Sequence, residues 1–197
     1  MDFFGIDSRW LYVGLLGLVV VERIFELWLT RRNAARLRAR GGFEVGDGHF
    51  PIMALMHTAF LVAAPLEVFW FDRPFHPVLG PAMLALVVAT MGLRYWAVTT
   101  LGDRWTARIF VVPGESPVAG GPYRFMRHPN YLAVIGEILA LPLVHGAWTT
   151  ALVFTVANAW MLRVRIRAEE EALAKSSDYT ERLGDRHRFL PTARREH

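Results

Sequence analysis

The chain alternates between long apolar runs and short arginine-rich breaks. Five runs, at 10–30, 51–71, 78–100, 131–148 and 149–166, come close to the roughly 20 residues a helix needs to cross a bilayer. Any one of them could be the buried helix of a soluble domain. Five within 197 residues predict a multi-pass membrane protein. Only His145 to Trp148 separate the fourth run from the fifth, which predicts a tight helical hairpin with both outer ends on one side. Between 101 and 130, "VPGESP" and "AGGPY" cannot be helix interior, so a turn-rich segment is expected there. Ala168 to about Leu183 reads as a further helix, and "FLPTARREH" as a frayed end. There is no internal repeat or low-complexity stretch. The expected fold is an all-α integral membrane protein of about five transmembrane helices, with the hairpin as fourth and fifth and a cytoplasmic carboxyl-terminal helix. Residues 1–197 form a single membrane domain, in which 101–130 and 163–197 make the cytoplasmic part.

Charge sharpens this picture. The net charge is +4, and nearly all the positive charge is arginine; Lys175 is the one lysine. Arg31, Arg32, Arg36, Arg38 and Arg40 follow the first run; Arg104, Arg108, Arg124 and Arg127 lie between the third and fourth. Eight more, from Arg163 to Arg195, follow or end the fifth, whereas Arg9 and Arg73 stand on the other side. The positive-inside rule then puts the carboxyl end in the cytoplasm, in a bacterial inner membrane if the arginine bias reflects a GC-rich genome. The first run ends in Arg31 and Arg32, not in a small-residue cleavage site, so an anchor is expected, not a cleaved leader. With no cysteine there is no disulfide framework or thiolate metal site. The histidines are scattered, no HExxH spacing occurs, and no metal is expected. The basic residues lack the pattern of a nucleic-acid module, and no nucleic-acid partner is expected.

Three clusters could carry chemistry. In "GPYRFMRHPNYL", 121–132, Pro129 suits the first turn of a helix and places His128 at its start, with Asn130 and Tyr131 in the first turn. The free N–H groups of a helix amino end favour a carboxylate or phosphate, and Gly120 and Gly121 allow close backbone approach. An ordinary interfacial cap would look the same. In "RVRIRAEEEAL", 163–173, Arg165 and Glu169 share one helix face, and Arg163, Arg167 and Glu170 another. This is a solvated juxtamembrane helix or, because the hairpin brings residues near 128 and 167 together, half of a shared site. In "VERIFELWLTRRN", 21–33, Glu22, Arg23 and Glu26 lie inside the first span, where each charge costs about 2.5–3.5 kcal/mol at the bilayer centre. They face a cavity or neutralise one another. Glu67 and Glu137 also lie in apolar runs, and Glu137 could floor a pocket below His128 or pack against a neighbouring helix.

The first two clusters, in this order around a hairpin, resemble the isoprenylcysteine carboxyl methyltransferase family, over about 95–185. The Arg-His-Pro-Asn-Tyr stretch is also similar to membrane sterol and enone reductases that use NADPH, but the following arginine–glutamate cluster and the short chain favour the methyltransferases. The resemblance implies S-adenosylmethionine as cofactor, in the part made by 101–130 and 163–197. By residue it implies cofactor binding by Gly121, Tyr123, His128, Asn130, Tyr131 and Glu169, and catalytic roles near the methyl acceptor for Arg165 and Glu170. Arg165 and Glu170 are five apart, so the resemblance requires an irregular helix there or a pairing of Arg165 with Glu169. The implied acceptor is an oxygen of a lipophilic small molecule. A carboxylate needs only a cation to orient it, such as Arg165; a phenol needs a base, such as Glu170. The compact form and "RWTARIF" look like bacterial relatives that methylate phenolic lipids or alkylpyrones.

Overall fold

The computed structural model describes residues 2–3 and 6–191. A short hairpin, β1 (Asp2–Phe3) and β2 (Ile6–Asp7), leads into α1 (Ser8–Ala39). The Asp7 side chain accepts from the Arg9 backbone N–H and so caps this helix. Then follow β3 (Phe43–Val45), α2 (His49–Trp70) and α3 (Leu79–Leu101). A 3₁₀ turn at Gly102–Arg104, β4 (Ile109–Val111) and a second 3₁₀ turn at Gly121–Arg124 occupy the segment read as turns. The chain continues through α4 (Pro129–Leu143), α5 (Trp148–Ser176) and α6 (Tyr179–Leu183).

The five apolar runs thus appear as helices close to their expected places, and residues 144–147 form the tight link between α4 and α5. The carboxyl end differs. The expected helix from Ala168 to Leu183 is the outer end of α5 followed by a separate turn of helix, broken at Ser177 and Asp178. Ser177 adopts extended backbone, and both its N–H and its hydroxyl donate to the Leu173 carbonyl, at 3.0 and 2.8 Å, where α5 ends. Of the expected frayed end, 192–197 lies outside the described residues, Arg194 and Arg195 included.

The packing is inverted relative to a water-soluble bundle. Leu18, Val21 and Ile24 of α1, Leu55 and Trp70 of α2, and Leu152, Val156 and Trp160 of α5 point outward with more than half their surface exposed. Glu26, Arg94, Glu137, Asn33 and Asn158 are buried. Such an arrangement is costly in water and favourable in lipid. By length and composition, α2 and the unit Leu79–Arg104 are long and apolar enough to cross a membrane. At the crossing of α3 and α4 a Cβ on Gly136 would stand 2.4 Å from Thr90 Cγ2, so only glycine permits the close approach.

Two buried polar knots fix the bundle. At the hairpin end, Glu67 accepts from the Thr149 and Thr150 backbone N–H groups at 3.1 and 2.7 Å, capping α5 from another helix. Arg73 donates to the same carboxylate at 2.9 Å. In mid-bundle, Arg94 of α3 donates twice to Glu26 of α1, at 2.6 and 2.9 Å, and lies 3.4 Å from Glu137 of α4. Arg23 donates to Glu26, Glu22 and Glu137 at 2.7, 2.8 and 3.2 Å. The charges noted in the sequence are therefore paired across three helices, three carboxylates against two guanidiniums, and Glu137 packs against its neighbours.

Candidate functional site

At the end of the bundle opposite the hairpin link, a cavity of about 320 Å³ opens between α1, α2, α4 and α5, within the usual size of small-ligand sites. Its roof is β4, backed by β3 in an antiparallel pair with Glu44 opposite Phe110 and tied down by Arg108, which donates to the two Glu44 oxygens at 2.8 and 3.0 Å. The loop after β4 is held to the end of α5: Gly114 N–H donates to the Ser176 carbonyl at 2.9 Å and Ser116 Oγ to Asp178 at 2.9 Å. Leu27, Met53 and Leu61 give the membrane side an apolar lining, with Arg23, Glu26 and Arg94 at its inner limit.

The polar wall comes from the two clusters singled out in the sequence. Pro129 is the first residue of α4 and His128 its N-cap, as proline spacing predicts. The hairpin then sets the first turn of α4 against the outer end of α5. Tyr131 Oη donates to Glu169 Oε2 at 2.7 Å, and the His128 ring packs on Tyr131 at 5.3 Å between centroids. Arg165 is 3% exposed and donates through Nη2 to the Ala107 carbonyl at 2.8 Å. Tyr123, His128, Asn130, Tyr131, Arg165 and Glu169 all line the cavity.

Glu170 is placed differently. It faces a knot behind the wall: His128 Nε2 at 3.0 Å, Arg127 Nη1 at 3.1 Å and Arg188 Nη2 at 2.5 Å. Burial opposes its ionisation, but the hydrogen bonds from His128 and Arg188 and the charge of Arg127 prevail and draw the carboxyl down to about 2. Helix α5 is regular through this region, and Arg165 bonds to Ala107 instead of Glu169. Both ways of reconciling the five-residue spacing of Arg165 and Glu170 are therefore replaced by a third: the two side chains serve different partners on different faces.

Gly121 also has a local reason for being glycine. Its φ is +53°, and a Cβ there would lie 2.2 Å from Thr100 Oγ1, so it lets the turn at Gly121–Arg124 seat on α3. Tyr123, beside it, has its hydroxyl pushed up by burial and by the charge of Glu169, and stays protonated.

Several site residues carry no local signal. The tail returns after α6 and pairs with the segment before α4: Arg127 and His128 N–H donate to the His187 and Arg188 carbonyls, each at 3.0 Å. Arg186 donates to the Tyr123 carbonyl. Trp105 and Tyr179 also line the cavity. Arginine after arginine in the tail could have flagged Arg186 and Arg188, but not what they hold.

The wall holds unspent hydrogen-bonding capacity. Asn130 Oδ1, Arg165 Nε, Trp105 Nε1 and Asn158 Oδ1 are buried without a partner among the described residues. Buried polar atoms of a native protein are otherwise almost always paired. The other Glu169 oxygen makes no hydrogen bond among the described residues. An anion-favouring helix start, a free carboxylate oxygen and several unsatisfied donors and acceptors fit a zwitterionic ligand with hydroxyl groups, the chemistry of an amino-acid nucleoside.

A sequence model of the isoprenylcysteine carboxyl methyltransferase (ICMT) family matches residues 83–175. The Bacillus subtilis protein YpbQ is 39% identical over 164 residues, 83% of this chain and 96% of its own. An uncharacterized protein of Haemophilus influenzae is 27% identical over 157 residues, 79% and 91% of the two chains. Among solved structures, the eukaryotic intramembrane Ras methyltransferase ICMT aligns with a TM-score of 0.46 and 21% identity over 64% of this chain. The chain spans 46% of that protein's length.

Proposed function

The chain belongs to the isoprenylcysteine carboxyl methyltransferase family of membrane methyltransferases, and from that premise we propose that it transfers a methyl group from S-adenosylmethionine to an oxygen of a lipophilic acceptor. The observation that carries this reading is the single cavity with two chemistries: unpaired polar atoms at the start of α4 and on α5, and an apolar side toward α1 and α2.

In this reading the free N–H groups at the amino end of α4 hold the cofactor's carboxylate, while Asn130 Oδ1 accepts from a donor of the cofactor and Glu169, fixed by Tyr131, takes its ammonium or ribose. Tyr123 and His128 complete that wall, with Gly121 setting the turn from which Tyr123 projects. S-adenosylmethionine would supply there an electrophilic methyl on a sulfonium, whose transfer to oxygen forms the methyl–oxygen bond as the methyl–sulfur bond breaks and S-adenosylhomocysteine leaves. The protein's contribution to such a step is alignment in a dry site. Arg165 is suited to orient an anionic oxygen, because its Nη2 is anchored on Ala107 while Nε is unpaired beside the cavity. Glu170 becomes a positioning residue. Held near 2 and engaged by the guanidiniums of Arg127 and Arg188 and by the His128 ring, it is a poor base, and it closes the tail over the His128 segment. That favours an acceptor already ionised, such as a carboxylate, over a neutral phenol.

All five long helices are read as spanning, with 101–130 and 163–197 on the cytoplasmic side. The clustering of arginines at the cavity end supports this orientation. The test is calorimetric titration of the detergent-purified protein with S-adenosylhomocysteine and, in parallel, NADPH. Saturable micromolar binding of the first alone is expected, weakened at least tenfold by His128→Ala and by Glu169→Ala. Binding of NADPH alone, or unchanged affinity in both variants, would overturn the assignment.

A further inference from the structure

On the outer face of the hairpin, away from the cavity, α4 and α5 leave a second groove of about 480 Å³. Thr155, Asn158, Leu162, Arg163, Ile166 and Arg167 line it from α5 as one stripe, at steps of three and four residues. Its deep part is apolar apart from two side chains, and its mouth carries arginine. Arg163 and Arg167 are exposed, one turn apart, and no carboxylate among the described residues lies within ion-pair distance of either. Arg188 also borders the groove, but its charge is met by Glu170.

The deep side chains are unsatisfied. Asn158 is 3% exposed with Oδ1 unpaired, and Thr155 Oγ1 is buried and unpaired. Thr58, Thr99 and Thr100 show the usual solution for a threonine in an apolar helix: each hydroxyl donates to the carbonyl four residues back. Thr155 forgoes it. At 1.5 Å per residue, Asn158 and Thr155 lie about 7 and 12 Å along the helix from Arg163 and about 13 and 18 Å from Arg167, so the two guanidiniums sit at the mouth and the stripe runs inward from them.

We propose that this groove binds one anionic phospholipid, its phosphate between Arg163 and Arg167 and an acyl chain along the apolar stripe of α5. Charge complementarity selects an acidic lipid over a zwitterionic one, and the apolar stripe seats an acyl chain. Asn158 and Leu162 line both the groove and the cavity, so the lipid braces the wall of the site.

The test is native mass spectrometry of the detergent-purified full chain, titrated with dioleoylphosphatidylglycerol or dioleoylphosphatidylcholine. One saturable phosphatidylglycerol site is expected, favoured over phosphatidylcholine by roughly thirtyfold, from two unpaired arginines at the usual contribution of each. The double variant Arg163→Gln, Arg167→Gln should bring phosphatidylglycerol down to the phosphatidylcholine level. The charge-matched control Arg31→Gln, Arg124→Gln, at two exposed arginines elsewhere, should leave the preference in place. Thr155→Val with Asn158→Leu, below the level of the phosphate, should keep the preference. Retained preference in the first variant, equal loss in the control, or displacement of the lipid by millimolar inorganic phosphate alone would overturn the proposal.

Discussion

Arg94→Met is the most direct probe of the mid-bundle charge cluster. The wild-type cluster sets three carboxylates (Glu22, Glu26, Glu137) against two guanidiniums (Arg23, Arg94), a formal charge of −1. Methionine fills similar volume but leaves three carboxylates around one guanidinium, a formal charge of −2, in a place where Arg94 is 5% exposed. Glu26 loses both hydrogen bonds from Arg94 and keeps only Arg23 at 2.7 Å. Stranding a buried charge in this way costs about 3–5 kcal/mol. For a chain of this size that corresponds to a Tm lower by about 6–20 °C. The assay is intrinsic-fluorescence thermal unfolding in detergent at one fixed scan rate, since such transitions are often irreversible. Adding Glu26→Gln to Arg94→Met restores the formal charge to −1 and should recover at least half of the loss. A drop no larger than that of the exposed control Arg31→Met, or a double variant no better than the single, would refute the reasoning.

Other consequences follow from the site. Glu170 has a folded pKa of about 2, below the ordinary carboxylate value of 4.5, so its stabilisation is complete above about 4.5 and is lost as pH falls toward 2. Glu170→Gln should therefore flatten the fall of Tm between pH 5 and pH 3; an unchanged slope would remove Glu170 as the anchor of the tail. Gly121→Ala should destabilise by about 1–3 kcal/mol, because it combines a positive φ with a clash on Thr100, and Thr100→Ala should relieve only part of it. Full recovery in a denaturation series would show that backbone conformation plays no part. Arg165→Ala should cut turnover at least a hundredfold, the loss seen when one preorganised donor is removed from an active site. Its S-adenosylhomocysteine affinity should be largely kept, and loss of that affinity would move Arg165 into the cofactor wall.

The helices, the hairpin and the start of α4 were legible in the sequence because each depends on neighbours in the chain. Hydropathy over about 20 residues reports the solvent a helix prefers, and Pro129 with His128 reports a helix start whatever surrounds it. Those local facts, joined by a four-residue link, set residues near 128 beside residues near 167, where Tyr131 meets Glu169. Tertiary structure decided the partners. The charge of Arg94 is plain in the sequence, but nothing near it in the chain says that it clamps Glu26, 68 residues away. Strands β3 and β4 are three residues each, too short to announce themselves, and exist because they pair with each other over the cavity. Glu169 and Glu170 are adjacent and chemically identical. The 100° turn between successive helical residues sends one to the cavity and the other to His128, Arg127 and Arg188, and only the packed helix shows which is which.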